Sequence, residues 1–133
     1  MLLDPCLLLC LLDRQIKGAA LESALAQTLL SIPDFGDTSA AELAGEIGTV
    51  TRFDSEAGLA LYVGMAVLDN SSGKHSAART PRQVNTRAKA AMMVATARHI
   101  PHVASSKTYY DKKRAEGKKH NQAIRALGRQ WCA

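Results

Sequence analysis

Aromatic residues are scarce in this sequence, with two Phe, three Tyr and one Trp in 133 residues. Runs of β-branched residues are missing too, while Ala and Leu dominate, so helices are favoured over sheet. Cysteine is nearly as sparse. Cys6, Cys10 and Cys132 stand near the two ends, form no CxxC and have no histidine at ligand spacing. That excludes a disulfide scaffold and predicts reduced thiols in a cytoplasmic protein. The apolar run at the start, Cys6–Leu12, has only seven residues, lies between Asp4 and Asp13 and follows no basic segment. It is too short to cross a bilayer and wrongly flanked for a secretory leader, so a core-facing helix start and no membrane partner are expected. Internal repeats and low-complexity tracts are absent. What is present, 47% hydrophobic residues on one domain's length of chain, suffices for a packed core and excludes wholesale disorder.

Charge is the informative quantity. The net value is +5, but residues 1–66 carry three basic residues against nine acidic ones, while residues 67–133 carry fourteen basic against three acidic. A half at −6 joined to a half at +11 points to a surface that faces a polyanion, DNA or RNA. The same residues would also serve as a solvated Lys/Arg face, and composition alone leaves both readings standing.

Periodicity predicts an all-α fold. Leu8, Leu12 and Ile16, then Leu21, Leu25 and Leu29, recur at four-residue steps and predict a helix over 7–30, ended by Pro33. "PDFGD" reads as a turn. Ser39 with Glu42 three residues on reads as the capping box of a helix over 39–47, stopped by Gly48. A short third helix follows in "RFDSEAGLALYVG", capped by Asp54 or Ser55 and ended by Gly64. Residues 65–84 read as irregular. Asn85 caps a helix over 86–99 whose apolar stripe is Ala88, Ala91, Met92 and Ala95. Two more are expected, over 105–116 and from His120 to Trp131.

Two stretches invite a chemical reading. In "LLSIPDFGDTSAAELAGEIG" (29–48) a helix, a tight turn and a second helix match a helix-hairpin-helix unit, whose backbone N–H groups meet a DNA phosphate. Asp34 stands where such a hairpin has its first glycine, and with Asp37 it would repel phosphate, so an ordinary αα-hairpin fits equally well. The second stretch is "LDNSSGKHSAARTP" (68–81). Ser71 and Ser72 precede Gly73, which allows a close backbone approach. Lys74, Arg79 and Arg82 could hold phosphate oxygens, and His75 could take a proton. By composition alone it also reads as a linker.

Four blocks occur in order: "IPDFGDTSAAELAGEIG", "RFDSEAGLALYVGMAVLDNSSGK", "VNTRAKAAMM" and "YYDKKRAEGKKHNQAIRALGR". Together they resemble the C-terminal transposase domain of the insertion-sequence one-ten family, with its one-sixteen and nine-oh-two relatives, over about residues 29–131. The resemblance implies a DNA transposase, a site-specific recombinase of a mobile element, directed by a structured bridge RNA. It implies that the serine before glycine is a nucleophile forming a phosphoserine bond with DNA. That position is Ser72, with Ser71 as the alternative. It also implies an N-terminal RuvC-like nuclease domain with an acidic tetrad, which binds divalent metal such as Mg, and a helical coiled-coil connection.

On that basis residues 1–30 are expected to be a remnant of the helical connector, and 31–133 the transposase C-terminal domain. The domain would comprise the helix-hairpin-helix-like unit (29–48), the serine loop (65–84) and basic helices (86–131). Lys74, Arg79, Arg82, Arg87, Lys112, Lys113, Arg114, Lys118 and Lys119 are expected to contact nucleic acid. Lys107 belongs with them, and Tyr109 and Tyr110 could stack on bases, with core or surface packing the better reading for one of the two. Val67 stands where the family has proline. The chain is expected to be a truncated form, to hold no metal or cofactor itself and to be inactive without the nuclease domain. It is expected to self-associate or pair with intact transposase near the nucleoid. The alternative is a non-catalytic, basic nucleic-acid-binding helical module.

Overall fold

The computed structural model describes residues 4–66, 68–72, 75–79 and 84–133. Helix α1 (Pro5–Glu22) starts on a proline, whose missing N–H has no partner to lose there, and Asp4 caps it by accepting from the Cys6 amide. The helix predicted over 7–30 is in fact two. Ser23 adopts an extended conformation, and its hydroxyl accepts from the Ala26 amide to cap α2 (Ala24–Leu30). A serine that can bond its own backbone favours such a break over a helix interior.

Two further expectations are corrected. Helix α3 (Asp37–Ile47) begins ahead of Ser39, with Gly36 as its cap and no capping side chain, so the Ser39–Glu42 box does not form. The preceding turn decides this. Phe35 N–H donates to the Ile32 carbonyl, and Asp34 takes φ +62°, the left-handed region a glycine would favour, which delivers the chain into the helix early. The start of α1 is not core-facing either: Leu7, Leu8, Leu9, Leu11 and Leu12 are 41–62% exposed. Burial along α1 begins only at Ile16 and is complete only at Ala20, because its C-terminal part alone meets α2 and α3.

After a 3₁₀ turn (Val50–Arg52), α4 (Glu56–Tyr62) is capped by Ser55, and Gly64 at φ +74° turns the chain away. A Cβ on Gly64 would lie 2.6 Å from the Lys89 side chain. Within the stretch predicted as irregular, β1 (Leu68–Ser72) and β2 (His75–Arg79) pair antiparallel, with Leu68 opposite Arg79 and Ser72 opposite His75. This ribbon lacks the apolar alternation by which a strand is read from sequence, and Gly73 was its one cue.

The all-α class holds around it. Seven α-helices lie among the described residues, the last three being α5 (Thr86–His99), α6 (Ala104–Ala115) and α7 (His120–Trp131). Asn85 caps α5 and the stripe Ala88, Ala91, Met92, Ala95 is buried, both as predicted. Helix α5 is central, packing on α3 and α7, while α1 and α2 lie on α3 and α6 on α7. Small residues make this possible: a Cβ on Gly128 would lie 2.6 Å from Met65 Sδ, so α7 approaches closely. Ile100, Ile124 and Leu127 form a second, smaller cluster, against which Tyr109 and Tyr110 pack.

The thiols divide by environment. Cys6 and Cys10 are exposed, whereas burial pushes the Cys132 thiol from 9.0 up to about 11. The raised value favours the neutral thiol in the folded state, so this group's contribution is kept below pH 9 and lost as pH climbs toward 11. Alkylation of the native chain at neutral pH is expected to label Cys6 and Cys10 and to reach Cys132 only after unfolding, as read by intact mass. Rapid labelling of Cys132 in the folded chain would contradict this packing of α7.

Candidate nucleic-acid interface

The serine-bearing ribbon leaves and rejoins the helical body at one place. The amides of Met65 and Ala66 both donate to the Ala60 carbonyl, at 2.9 and 3.2 Å, and the amide of Asn85 donates to the Tyr62 carbonyl at 2.9 Å. The last turn of α4 therefore holds both the entry and the exit of the segment. Ser71 lies opposite Ser76, and Ser72 opposite His75, at the end of the ribbon remote from this junction. Arg79 stands on β2 opposite Leu68. Val67, Gly73, Lys74 and Arg82 lie outside the described residues.

Arg87, in the first turn of α5, has a side chain 79% exposed, with one nitrogen 3.6 Å from Glu46 Oε1. An exposed pair at that distance is weak, so the guanidinium remains available to a stronger anion. The α5 N-terminus is committed otherwise, because Asn85 Oδ1 accepts from the amides of both Arg87 and Ala88. An anion at this helix end would meet the arginine rather than free backbone donors.

The remaining predicted contacts gather elsewhere. Lys112, Lys113 and Arg114 form the last turn of α6, where positive charge complements the helix dipole, and Lys118 and Lys119 follow in the turn to α7. Gly117 at φ +92° closes α6, and Arg114 donates to the Lys118 carbonyl at 3.0 Å, folding the turn onto the helix end. Lys112, Arg114, Lys118 and Lys119 are exposed. Lys113 is mostly covered: its ammonium lies 3.1 Å from Glu116 and 5.4 Å from the Tyr109 ring centroid. Lys107 pairs with Asp111 at 3.2 Å. The tyrosines are not free stacking platforms. Both are half-buried, and the Tyr110 hydroxyl is 2.6 Å from His120 Nδ1.

Sequence reasoning missed the buried pin of the fold. His99, 4% exposed, has Nδ1 at 2.6 Å from the Pro33 carbonyl and Nε2 at 2.7 Å from Ser106 Oγ. Its ring meets Trp131 edge-on, with centroids 4.9 Å apart. A carbonyl only accepts, so Nδ1 carries the proton and Nε2 accepts from the serine. A lone histidine at the end of a basic helix offers no sequence signal for this role.

Among the described residues no three His, Cys, Asp or Glu side chains stand together as a metal-binding group. No helix among them is long and apolar enough to cross a membrane.

Comparison with known proteins gives one consistent result. The family model described as Transposase IS116/IS110/IS902 family matches residues 26–111, a span containing α3, α4, the serine ribbon and α5. The chain is 37% identical over 120 residues to an uncharacterized 43.6 kDa protein of insertion element IS110 from Streptomyces coelicolor, covering 90% of this chain and 30% of that protein. It is 40% identical over 106 residues to an uncharacterized 42 kDa protein of insertion element IS900 from Mycobacterium paratuberculosis, covering 78% and 27%. A 44.8 kDa protein of insertion element IS116 from Streptomyces clavuligerus is 27% identical over 118 residues, covering 88% and 30%. The chain thus spans under a third of the length of these curated relatives.

Proposed function

This chain belongs to the IS116/IS110/IS902 family of transposases, and from that we propose that it is the DNA-joining part of such an enzyme, with Ser72 as nucleophile. One observation carries the reading. The matched span encloses the serine ribbon together with the junction that fastens both its ends, so the serine is borne on a ribbon with a defined base. In the step proposed, Ser72 Oγ attacks a DNA phosphorus. The Oγ–P bond forms, the P–O bond to one deoxyribose breaks, and that sugar leaves as a hydroxyl. The proton lost by serine passes to a base, for which His75, opposite Ser72 in register, is this chain's candidate, and a proton delivered from that base or from water to the departing sugar oxygen completes the hydroxyl. Such transfer depends on positioning and charge stabilisation.

Residues 31–133 form the working domain and 1–30 a helical connector in this reading. Arg79, Arg87 and the exposed bases of α6 and its turn hold backbone phosphates, with Lys74 and Arg82 added from the serine segment. The acidic nuclease function of such an enzyme, with its divalent metal, acts together with this domain. A structured RNA of the element is a partner of the same basic surface. The site of action is the nucleoid.

A second reading is favoured by the exposure of Lys112, Arg114, Lys118 and Lys119, which lie beyond the matched span. It is a basic module that binds nucleic acid without joining it. Both readings predict that affinity for duplex DNA falls linearly in log–log terms with salt. Replacing those four side chains with alanine should flatten the slope by about one unit for each phosphate that is no longer neutralised. An affinity indifferent to salt would sink both. Covalent capture separates them. Mixed with an intact family member whose own serine has been replaced, the chain should form a DNA adduct that Ser72→Ala abolishes. Binding with no adduct favours the second reading.

A further inference from the structure

Between α3 and the serine ribbon lies a polar cluster that the family match and the basic surface leave unexplained. Asn85 Nδ2 donates to Glu46 Oε2 and to the Tyr62 hydroxyl, both at 2.8 Å. The Tyr62 hydroxyl donates in turn to the Glu46 backbone carbonyl at 2.9 Å. Asn85 Oδ1 caps α5, and its backbone N–H reaches the Tyr62 carbonyl. Every polar atom of the Asn85 side chain is therefore used, and its amide orientation follows from its partners. Glu46 Oε1 faces Arg87 at 3.6 Å. Arg52 adds a lid on the tyrosine, its guanidinium carbon 5.1 Å from the Tyr62 ring centroid and its nitrogen bonded to the Ile47 carbonyl at 3.0 Å.

The topology gives this cluster its meaning. Tyr62 ends α4 and Asn85 precedes α5, so the segment 63–84 leaves and returns between these two residues. Glu46 belongs to neither helix. It comes from α3, in the packed body, and grips both ends at once: Asn85 through its carboxylate and Tyr62 through its carbonyl.

We propose that Glu46 is the positioning residue of the serine ribbon, fixing the place and direction in which the ribbon departs from the helical body. It touches no DNA and acts through Asn85 and Tyr62. The proposal rests on Ser72 being the nucleophile, since a reacting group needs its carrier held in place. A displacement of about 1 Å at a reacting group can cost about 100-fold in rate. Glu46 Oε2 is the acceptor that matters, and its exposed pairing with Arg87 is secondary.

Three variants of the full chain test this. Glu46→Ala removes the acceptor, Glu46→Gln keeps an oxygen for Asn85 Nδ2 while discarding the charge, and Leu43→Ala loosens the buried face of α3 nearby without touching the cluster. Hydrogen exchange by mass spectrometry should rise about 10-fold or more over peptides covering 63–85 in Glu46→Ala, with the rest of α5 and α7 unmoved. Glu46→Gln should restore the exchange, and Leu43→Ala should raise it throughout. In the capture assay, Glu46→Ala should lose adduct to a comparable degree at unchanged DNA affinity, and Glu46→Gln should recover it. Exchange in Glu46→Ala that stays at the parent level, or spreads as in Leu43→Ala, overturns the proposal. So does full adduct formation by Glu46→Ala. An adduct that survives Ser72→Ala instead overturns the nucleophile assignment, a result the exchange data cannot produce.

Discussion

Replacing His99 with alanine is expected to lower the unfolding free energy by about 3–5 kcal/mol, close to the whole stability of a marginal domain. Two terms add. The Ser106 hydroxyl, on a residue 7% exposed, loses its acceptor, and the carbonyl of Pro33, an exposed residue, loses its donor. An unsatisfied buried polar group costs about 1–3 kcal/mol. The missing ring also leaves a void against Trp131, which itself packs on Phe35 at 5.9 Å between centroids. The damage should spread, because the histidine ties the 33–36 turn, the end of α5, α6 and α7 together. His99→Phe separates the terms: it keeps an aromatic body against Trp131 and loses both hydrogen bonds, so it should fall between parent and alanine. Urea unfolding followed by far-UV circular dichroism reads the difference. A loss below about 1 kcal/mol for His99→Ala would show that the pin is not structural.

The second large effect is expected at Asn85. Asn85→Ala removes the α5 cap and strips Glu46 Oε2 of its donor, for a combined loss of about 2–3 kcal/mol. Asn85→Asp is more informative, because an aspartate keeps the capping oxygen. It replaces the Nδ2 donor, 2.8 Å from Glu46 Oε2, with a second carboxylate oxygen. Two carboxylates this close cannot both stay ionised cheaply, so one is held protonated above the ordinary carboxylate range. A raised folded value means stability is present at low pH and lost as pH rises. Asn85→Asp should therefore be near parental stability around pH 4 and markedly weaker at pH 7, whereas Asn85→Ala is weakened about equally at both. Thermal melts at the two pH values check this. A pH-independent loss in Asn85→Asp would mean that Glu46 does not face residue 85.

The sequence was legible where one local cue acted alone. Asn85 before "TRAKAAMM" marked the start of α5, and the stripe from Ala88 to Ala95 named its buried face. It was misleading where two cues competed. Ser23 sits in a good four-residue repeat, yet its hydroxyl prefers the Ala26 amide and splits the helix. Ser39 and Glu42 form a capping pattern, but the turn through Asp34 starts α3 sooner. The leucines of α1 have the period of a core-facing helix, and only tertiary placement shows that they remain exposed. Nothing local announces Glu46, Tyr62 and Asn85 as a set, since their hydrogen bonds span 16 to 39 residues. His99 and Pro33, separated by 66, are hidden for the same reason. The candidate serine was found through the order of four sequence blocks rather than through the chemistry of "NSSGK", which alone reads as a linker.

Peptide mapping of the covalent product addresses the nucleophile itself. The adduct formed with an intact partner lacking its own serine would be digested with nuclease and then with trypsin, which releases the stretch "FDSEAGLALYVGMAVLDNSSGK", residues 53–74. Fragmentation distinguishes its three serines, Ser55, Ser71 and Ser72. A nucleotide remnant on Ser72, absent when Ser72 is alanine, is the predicted result. A remnant on Ser55 or Ser71, or one that persists in Ser72→Ala, would contradict it.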